Sequence, residues 1–314
     1  MSWDFPSALR VAPGSDLWPV TWGPDDALYT SWGDGGGFGG TDGEARVSLG
    51  FARITGPPEA FVATNLWGGK DAERPATFAG KATGLLSVGG TLYAWINLQD
   101  GDIPARRLAW STDLGRSWQL GSWSFPGARG ALYLATFLNF GRDYAGARDG
   151  FVYAYGKRYS DAGDPFTDPR NFLARVPRGS VRERGAYEFF AGFDAARAPT
   201  WTRVERNARS ILTDTARTKA FSVVHVSPIG RYVGTTSRGN SVGKLSIHEA
   251  AEPWGPWISV VAYDNWGGFG DGEGLLYSIP TKWIGGDGTT LWMIFSSTGA
   301  FDSFNLVRGT LTLR

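Results

Sequence analysis

The sequence contains no cysteine, which excludes disulfide bonds, thiolate catalysis and cysteine-ligated metals. Histidine is nearly absent as well, because His225 and His248 are the only two among 314 residues. A histidine-rich zinc site is therefore not expected. We predict an activity that needs no metal or other cofactor.

An excess of charge of one sign is also lacking, since 31 basic and 30 acidic residues give a net charge of +1. No basic block stands out, so nucleic acid is not an expected partner. No apolar run approaches the roughly 20 residues that cross a bilayer, so membrane insertion is not expected. The opening "MSWDFPSALR" lacks the charged and apolar regions of a signal peptide.

Glycine and aromatic residues are abundant. The chain has 45 Gly, 17 Pro and 15 Trp, and 42% of its residues are hydrophobic, which indicates a globular protein. Glycine and proline are spread along the whole sequence, and this distribution favours many short strands and turns over long helices.

Five hairpin patterns recur along the chain, each with a β-rich run, a polar or glycine turn, an aromatic anchor and a second β-rich run. They are "VTWGPDDALYTSWGD" (20–34), "GLLSVGGTLYAWINL" (84–98), "FGRDYAGARDGFVYAYGK" (140–157), "VVHVSPIGRYVGTTSR" (223–238) and "TKWIGGDGTTLWMIFSS" (281–297). The anchors are Tyr29, Tyr93, Tyr153, Tyr232 and Trp292, with spacings of 64, 60, 79 and 60. Periods of this size are typical of propellers and solenoids.

The repeat predicts an all-β, five-bladed β-propeller with a single domain. The expected blades are approximately 13–75, 76–130, 131–210, 211–262 and 263–314, with 5–12 as a strand that closes the last blade. Such closure removes an exposed sheet edge. The alternative is a large β-sandwich, which would not explain five similar hairpins.

Three loops have mainly structural interpretations. "STDLGRSW" (111–118) resembles the Asp-box of sialidase-like propellers, where the Asp and Ser tie a turn and the Trp packs between strands. "WGDGGGFGGTDGE" (32–44) and "WGGFGDGEG" (266–274) are rich in Gly and Asp. Tight turns explain both, although oxygen-rich loops can also hold a structural Ca²⁺.

The first hairpin carries an acidic residue just outside each open end, Asp16 and Asp34. If Trp22 pairs with Leu28, a regular register places Asp16 opposite Asp34, where like charges are destabilising. Paired carboxylates are what glycoside hydrolysis requires, one as the acid and one as the nucleophile or base, and close opposition favours a retaining mechanism. The structural alternative is that Asp16 caps a turn and Asp34 forms an Asp-Gly turn.

Further residues are candidates for lining a pocket at this end of the axis. Aromatic side chains near the pair raise carboxyl pKa values and stack on sugar rings, with core packing as the alternative. The aromatic candidates are Trp18, Trp32 and Phe38. Equivalent positions on other inner hairpins add Lys81, Asn139, Tyr277 and Lys282.

The motifs together resemble a propeller family formerly described as a domain of unknown function. They are "SDLWPVTWGPDDALYTSWGDGGGFGG", "GKATGLLSVGGTLYAWI", "FLNFGRDYAGARDGFVYAYG", "LARVPRGSVRERGAYEFFAG" and "YSIPTKWIGGDGTTLWMIFS", and the likeness runs from about residue 14 to 310. That family includes glycoside hydrolase family 183, the endo-D-arabinanases. The resemblance implies a five-bladed propeller with an acidic pair at Asp16 and Asp34.

The sequence therefore predicts a glycoside hydrolase that cleaves a polysaccharide, with an arabinofuranosidic polymer such as D-arabinan implied by the resemblance. A carbohydrate-binding propeller without catalysis and a polysaccharide lyase are the alternatives. We expect a monomer that acts outside the cell or at its surface, although the sequence shows no signal peptide.

Overall fold

Five antiparallel sheets make up the protein in a computed structural model. The structure describes residues 1–99, 102–160, 168–215, 219, 221–238, 241–269, 276–296 and 302–313. No α-helix occurs within these ranges, and therefore no helix there is long and apolar enough to cross a membrane. The short helices are all of the 3₁₀ type: Phe5–Ser7, Arg142–Tyr144, Arg178–Ser180, Arg184–Ala186, Glu205–Asn207, Ser227–Ile229, Trp266–Gly268 and Thr281–Trp283.

Each sheet is one blade, and the first four blades follow one another along the chain. Blade one contains β3 (Asp16–Trp22), β4 (Leu28–Gly33), β5 (Gly50–Thr55) and β6 (Val62–Trp67). Blade two contains β7 (Lys81–Val88), β8 (Thr91–Asn97), β9 (Arg106–Ser111) and β10 (Gln119–Phe125). Blade three contains β11 (Leu132–Phe137), β12 (Phe151–Arg158), β13 (Arg170–Pro177), β14 (Glu188–Phe193), β15 (Pro199–Thr202) and β16 (Ser210–Thr213). Blade four contains β17 (Ser222–Val226), β18 (Arg231–Arg238), β19 (Ser241–Ala250) and β20 (Ile258–Tyr263).

The fifth blade joins the two ends of the chain. It contains β21 (Tyr277–Ser278), β22 (Thr290–Ser296), β23 (Phe304–Thr310), β1 (Ser2–Trp3) and β2 (Leu9–Val11). Both N-terminal strands pair antiparallel with β23. The predicted terminal-strand closure is therefore confirmed, and it covers a sheet edge that would otherwise be free to pair with another chain.

The first strand of every blade faces a common axis. A cavity of about 20 Å³ on this axis is lined by residues from β3, β7, β11, β17 and β21 and by their neighbours. A cavity of that size holds about one water molecule. Five inner strands around one narrow cavity are the geometry of a five-bladed propeller.

The aromatic anchors occupy the second strand of every blade. Tyr29, Tyr93, Tyr153, Tyr232 and Trp292 lie on β4, β8, β12, β18 and β22, and all five are buried. Tyr29 donates a hydrogen bond to Asp25 at 3.0 Å, and Tyr153 donates one to Asp149 at 2.7 Å. Each acceptor lies four residues earlier in the turn, so the anchor ties its own hairpin while its ring fills the space between blades.

The Asp-box of blade two has the structural role that the sequence predicts. Ser111 donates to Asp113 at 2.8 Å, and Asp113 accepts the Ser117 N–H at 2.9 Å. The Trp118 ring stacks on Phe51 of blade one with centroids 3.9 Å apart. The motif thus fixes the turn between β9 and β10 and joins two blades.

Candidate active site

Asp16, Lys81 and Tyr277 each begin the inner strand of a blade, namely β3, β7 and β21. The Leu17 N–H donates to Ser296 Oγ at 2.7 Å, and Ser296 ends β22 beside the Tyr277–Phe295 pair. The beginnings of these inner strands therefore lie at one end of the axis, where β4 also ends and delivers Asp34.

A β-bulge in β3 changes the register of the first hairpin. Trp22 pairs with Leu28 as predicted, but the register shifts between Leu17 and Val20, so that Asp16 pairs with Gly33. The predicted pairing of Asp16 with Asp34 is wrong, because two residues of β3 oppose one residue of β4 in this bulge. Pro19 lies in the bulge, where a residue without an N–H is tolerated.

Strained backbone flanks both carboxylates. Leu17 and Trp18 have φ angles of 81° and 50°, and Asp34 has a φ of 57°. Non-glycine residues rarely adopt these left-handed conformations, and such residues cluster at functional sites. The strained positions lie next to Asp16 at the bulge of β3 and at Asp34, directly after β4.

The Asp16 carboxyl group is buried, with 6% of the residue exposed. Among the described residues, no hydrogen-bond partner lies near its Oδ1 atom. Burial raises the pKa of Asp16 to about 7, the Lys81 ammonium opposes this rise, and Asp302 and Asp34 add to it. A carboxyl group with this pKa is protonated in about half of the molecules at neutral pH and can donate its proton to a bound substrate.

Asp34 lies in different surroundings, with 37% of its side chain exposed. Lys81 Nζ lies 2.5 Å from Asp34 Oδ1, at an angle that does not make a hydrogen bond, so the contact is an ion pair. Arg46 Nη2 lies 3.2 Å from the same oxygen. Asp34 is therefore held by two ion pairs at the more exposed edge of the site, whereas Asp16 is buried.

Gly33 allows the two carboxylates and Lys81 to approach each other. A Cβ atom at Gly33 would lie 2.5 Å from Lys81 Cδ and 2.7 Å from Asp16 Oδ1. At these distances one of the two side chains would have to move, so glycine preserves this packing. The lysine stem and the Asp16 carboxyl group therefore flank the same backbone position, directly before Asp34.

The aromatic candidates pack in the core and do not line an open pocket. Trp18 and Trp32 are fully buried, and their ring centroids lie 5.9 Å apart. Phe38 is half-buried and packs on Trp18 and Phe304. The prediction that Trp18 and Trp32 contact substrate is wrong in this structure, because neither ring has a face open to a sugar.

Two further candidates lie at the opposite end of the inner hairpins. Asn139 accepts a hydrogen bond from Thr21 Oγ1 at 2.6 Å and donates one to the Leu85 carbonyl at 3.2 Å. Thr21 follows Asp16 by five residues, which is roughly 15 Å of strand. Lys282 pairs with Asp26 at 3.0 Å, in the turn that follows β3. The structure therefore does not bring either side chain to Asp16, and the prediction that they line its pocket is wrong.

Tyr277 lies at the right end of the axis, but its ring points into the protein. It packs edge-on against Trp266 with centroids 5.5 Å apart and stacks with Phe295. The residue is 3% exposed. Its ring therefore contributes to the core under the site and offers a sugar little surface.

Three charged residues near the pair were missed by the sequence analysis. Lys219 and Asp302 are close enough to alter the pKa of Asp16, and Arg46 contacts Asp34. Lys219 precedes the inner strand β17 much as Lys81 begins β7, so an alignment of the inner strands would have suggested it. Arg46 and Asp302 lie in loops, and the hairpin pattern does not predict the positions of loop residues.

No group of three or more His, Asp or Glu side chains in the described ranges is arranged to hold a metal ion. The loop at 32–44 is tied by Asn65, which accepts the Phe38 N–H at 3.2 Å and donates to the Lys70 carbonyl at 2.8 Å. These bonds support the interpretation as tight turns. The loop at 266–274 lies outside the described residues from position 270 onward.

A scan of the sequence against protein-family models and curated proteins finds no match. Solved structures do match in fold. A putative hydrolase from Bacteroides ovatus superposes with a TM-score of 0.60 at 12% identity, over 95% of this chain and 87% of that one. A GH43_1 enzyme from Xanthomonas citri gives 0.56 at 13% identity, over 96% and 91%. An endo-arabinase from Bacteroides thetaiotaomicron gives 0.52 at 12% identity, over 98% and 96%.

The five-bladed β-propeller fold is confirmed. At identities this low the likeness establishes the fold alone, and fold does not by itself imply function. The predicted relationship to glycoside hydrolase family 183 therefore stays a prediction. The observation that bears on activity is the site itself. Asp16, Asp34 and Lys81 come together there from the ends of three strands.

Proposed function

We propose that the protein is a glycoside hydrolase that cleaves a polysaccharide, with Asp16 as the general acid and Asp34 as the nucleophile or general base. The observation that carries the proposal is the contrast between the two carboxyl groups. Asp16 is buried with a pKa of about 7, whereas Asp34 is more exposed and paired with two cations. A buried carboxyl group with a raised pKa is suited to be the acid, and its ion-paired neighbour is then the nucleophile or base.

The proposed reaction follows from these two states. Asp16 donates its proton to the glycosidic oxygen while the bond from that oxygen to the anomeric carbon breaks. In one course Asp34 bonds to the anomeric carbon, and water, deprotonated by Asp16, then breaks that bond and releases the sugar. In the other course Asp34 removes a proton from the water that attacks the anomeric carbon directly. Carboxyl groups about 5–5.5 Å apart correspond to the first course, and groups about 6.5–9.5 Å apart to the second.

We further propose an endo-acting enzyme for an arabinofuranosidic polymer such as D-arabinan. The support is the resemblance of the sequence motifs to glycoside hydrolase family 183, together with the endo-arabinase among the structures of similar fold. A polysaccharide substrate fits an enzyme that acts outside the cell or at its surface, as a monomer and without a cofactor. The substrate, the endo mode of cleavage and the location hold only if the protein has the proposed hydrolase activity.

The test is a screen against a panel of polysaccharides that includes arabinans, xylans and uronate polymers, with product masses and ultraviolet absorbance. Hydrolysis adds one water molecule to each cleaved bond, whereas a lyase leaves an unsaturated product that absorbs in the ultraviolet. Nuclear magnetic resonance of the first product anomer separates retention from inversion. Binding without product would instead identify a carbohydrate-binding propeller.

The Asp16→Asn and Asp34→Asn variants test the assigned roles. An amide nearly matches a carboxyl group in shape, so the fold should survive while turnover falls about 10²- to 10⁴-fold. Circular dichroism and thermal melting serve as controls for folding. Near-native turnover in a folded variant would show that the replaced carboxyl group is not catalytic. If both variants keep their turnover, the glycosidase assignment at this hairpin fails.

A further inference from the structure

We propose that Lys81 is the positioning residue of this site: its ammonium pairs with Asp34 and holds that carboxylate in place near Asp16. The inference rests on the proposed function, because it takes Asp16 and Asp34 as the reacting pair. It replaces the substrate-binding role that the sequence predicts for Lys81.

The Lys81 side chain is held in one position by its neighbours. The side chain is 11% exposed, and its ammonium lies 2.5 Å from Asp34 Oδ1. Its Cδ atom packs where a Cβ atom at Gly33 would lie, beside Asp16 Oδ1. The stem is therefore confined by the backbone between the two carboxylates, and the ammonium has little freedom to turn toward a substrate hydroxyl.

Lys81 is also the charge with the largest effect on Asp16. Four charged groups from four segments influence that carboxyl group: Lys81, Asp302, Asp34 and Lys219. Lys81 and Lys219 lower the pKa of Asp16, while Asp302 and Asp34 raise it, and burial is the largest influence. One ammonium thus contacts the proposed base and opposes the rise in the pKa of the proposed acid.

Arg46 is a weaker candidate for the same role. Its guanidinium also pairs with Asp34, but 44% of its side chain is exposed. Exposed ion pairs are screened by water and salt and contribute little. Asp34 should therefore depend on Lys81 for its position more than on Arg46.

The proposal predicts two coupled effects of Lys81→Met, which keeps a long apolar stem and removes the charge. Turnover should fall about 10- to 100-fold, because a small misplacement of a reacting group is costly. The pKa of Asp16 should rise by about one pH unit, because an opposing positive charge is lost. Lys81→Arg keeps the charge and should therefore leave the pKa of Asp16 near its wild-type value, with partial recovery of turnover.

The experiment combines kinetics with a titration that needs no substrate. The chemical shift of the Asp16 carboxyl carbon is followed against pH in the wild type, Lys81→Met and Lys81→Arg. Lys244→Met is the matched control, since Lys244 is a partly buried lysine that faces Asp264 at 3.7 Å in blade four. We expect the midpoint of the Asp16 titration to move to higher pH in Lys81→Met alone. The same variant should have a lower kcat and a KM within a few-fold of wild type.

The outcomes separate this inference from the proposed function. If the wild type cleaves a polysaccharide but Lys81→Met keeps both its kcat and its Asp16 midpoint, Lys81 is not the positioning residue. A raised KM with unchanged kcat would identify a substrate ligand and would also overturn the inference. If no polysaccharide is cleaved, the proposed function fails, while the Asp16 midpoint still decides the electrostatic role of Lys81. If Lys81→Met does not fold, Lys81→Arg provides the test. Because arginine keeps the positive charge, a shift of the Asp16 titration midpoint in folded Lys81→Arg would contradict the inference, and an unchanged midpoint would support it.

Discussion

At the scale of single residues, burial gives Asp16 properties that a surface aspartate does not have. Its ordinary pKa of 3.8 is raised to about 7, mainly by loss of water. A lysine from the neighbouring blade keeps the rise from being larger. The group can therefore lose and regain a proton near neutral pH, as a general acid must.

The raised pKa predicts how activity depends on pH. Asp16 must be protonated to act as the acid, so kcat/KM, which reports groups of the free enzyme, should decline as pH rises through about 7. The measurement is a pH–rate profile on whichever polysaccharide the screen identifies. A profile that stays flat from pH 6 to pH 9 would contradict the assignment of Asp16 as the acid.

The same pKa predicts how stability depends on pH. The folded state binds the Asp16 proton more tightly than the unfolded state, so this residue contributes stability at low pH that is lost as pH rises from about 4 to about 7. Asp16→Asn does not titrate. Its free energy of unfolding, relative to wild type, should therefore increase by up to about 4 kcal/mol from pH 4 to pH 8.

Urea denaturation of both proteins at several pH values measures this difference. Asp214→Asn is not a suitable control, because Asp214 pairs with His248 at 3.5 Å. Asp194→Asn in the β14–β15 turn is better, since Asp194 is exposed. A stability difference between Asp16→Asn and wild type that does not change with pH would show that the pKa of Asp16 is not raised.

At the scale of elements, the first hairpin decides how the carboxylates are presented. The bulge at Trp18 and Pro19 places Asp16 opposite Gly33 and leaves Asp34 one residue beyond the paired strand. Two carboxylate groups in direct opposition would repel each other. The shifted register instead allows Lys81 to enter between them from blade two.

Gly33→Ala tests this arrangement. The new methyl group would meet Lys81 Cδ and Asp16 Oδ1 at less than 3 Å, so at least one of them must move. We expect turnover to fall about 10-fold or more, with a loss of about 1–3 kcal/mol in the free energy of unfolding. Gly179→Ala is the control, because no atom lies within 4 Å of its added Cβ. Equal activity in the two variants would mean that the packing at Gly33 does not matter to the site.

The sequence predicts this element in part. Alternation and turn residues locate the hairpin and both acidic residues, because these are local properties. The register is not local, since it depends on where Pro19 is tolerated and on how Leu17 bonds to Ser296 of blade five. The burial of Trp18 and Trp32 is not local either, because Phe38 and Phe304 pack on Trp18, and Trp18 packs on Trp32, only in the folded chain.

At the scale of the whole molecule, the repeat of aromatic anchors predicts the blade number correctly, since each blade needs one buried ring at the same place in its second strand. Contacts between blades were not predictable in the same way. Lys219 and Asp302 approach Asp16 from other blades, and nothing in the spacing of the hairpins indicates this.

Asn139 shows how the blades are held together. Its side chain bonds to Thr21 of blade one and to Leu85 of blade two, and its backbone carbonyl accepts the His225 N–H of blade four at 3.1 Å. It follows β11 of blade three, so one residue connects four inner strands. A buried amide with several partners is costly to remove.

Asn139→Ala should therefore lower the free energy of unfolding by about 1–3 kcal/mol. If Asn139 bound substrate, KM would rise instead; we expect KM to stay within a few-fold of wild type. Chemical denaturation and steady-state kinetics on the same preparation distinguish the two roles. The exposed Asn207→Ala serves as control, and a stability loss no greater than in that control would contradict the structural role.

The narrow axial cavity also limits how a polymer could reach Asp16 and Asp34. With room for about one water molecule, it cannot admit a sugar ring, so no chain can thread through the centre of the molecule. A polysaccharide would have to approach and leave from the face on which Asp16 and Asp34 lie. It would bind across the ends of the blades on that face. A free chain end would then not be needed for binding, and cleavage could take place within the polymer.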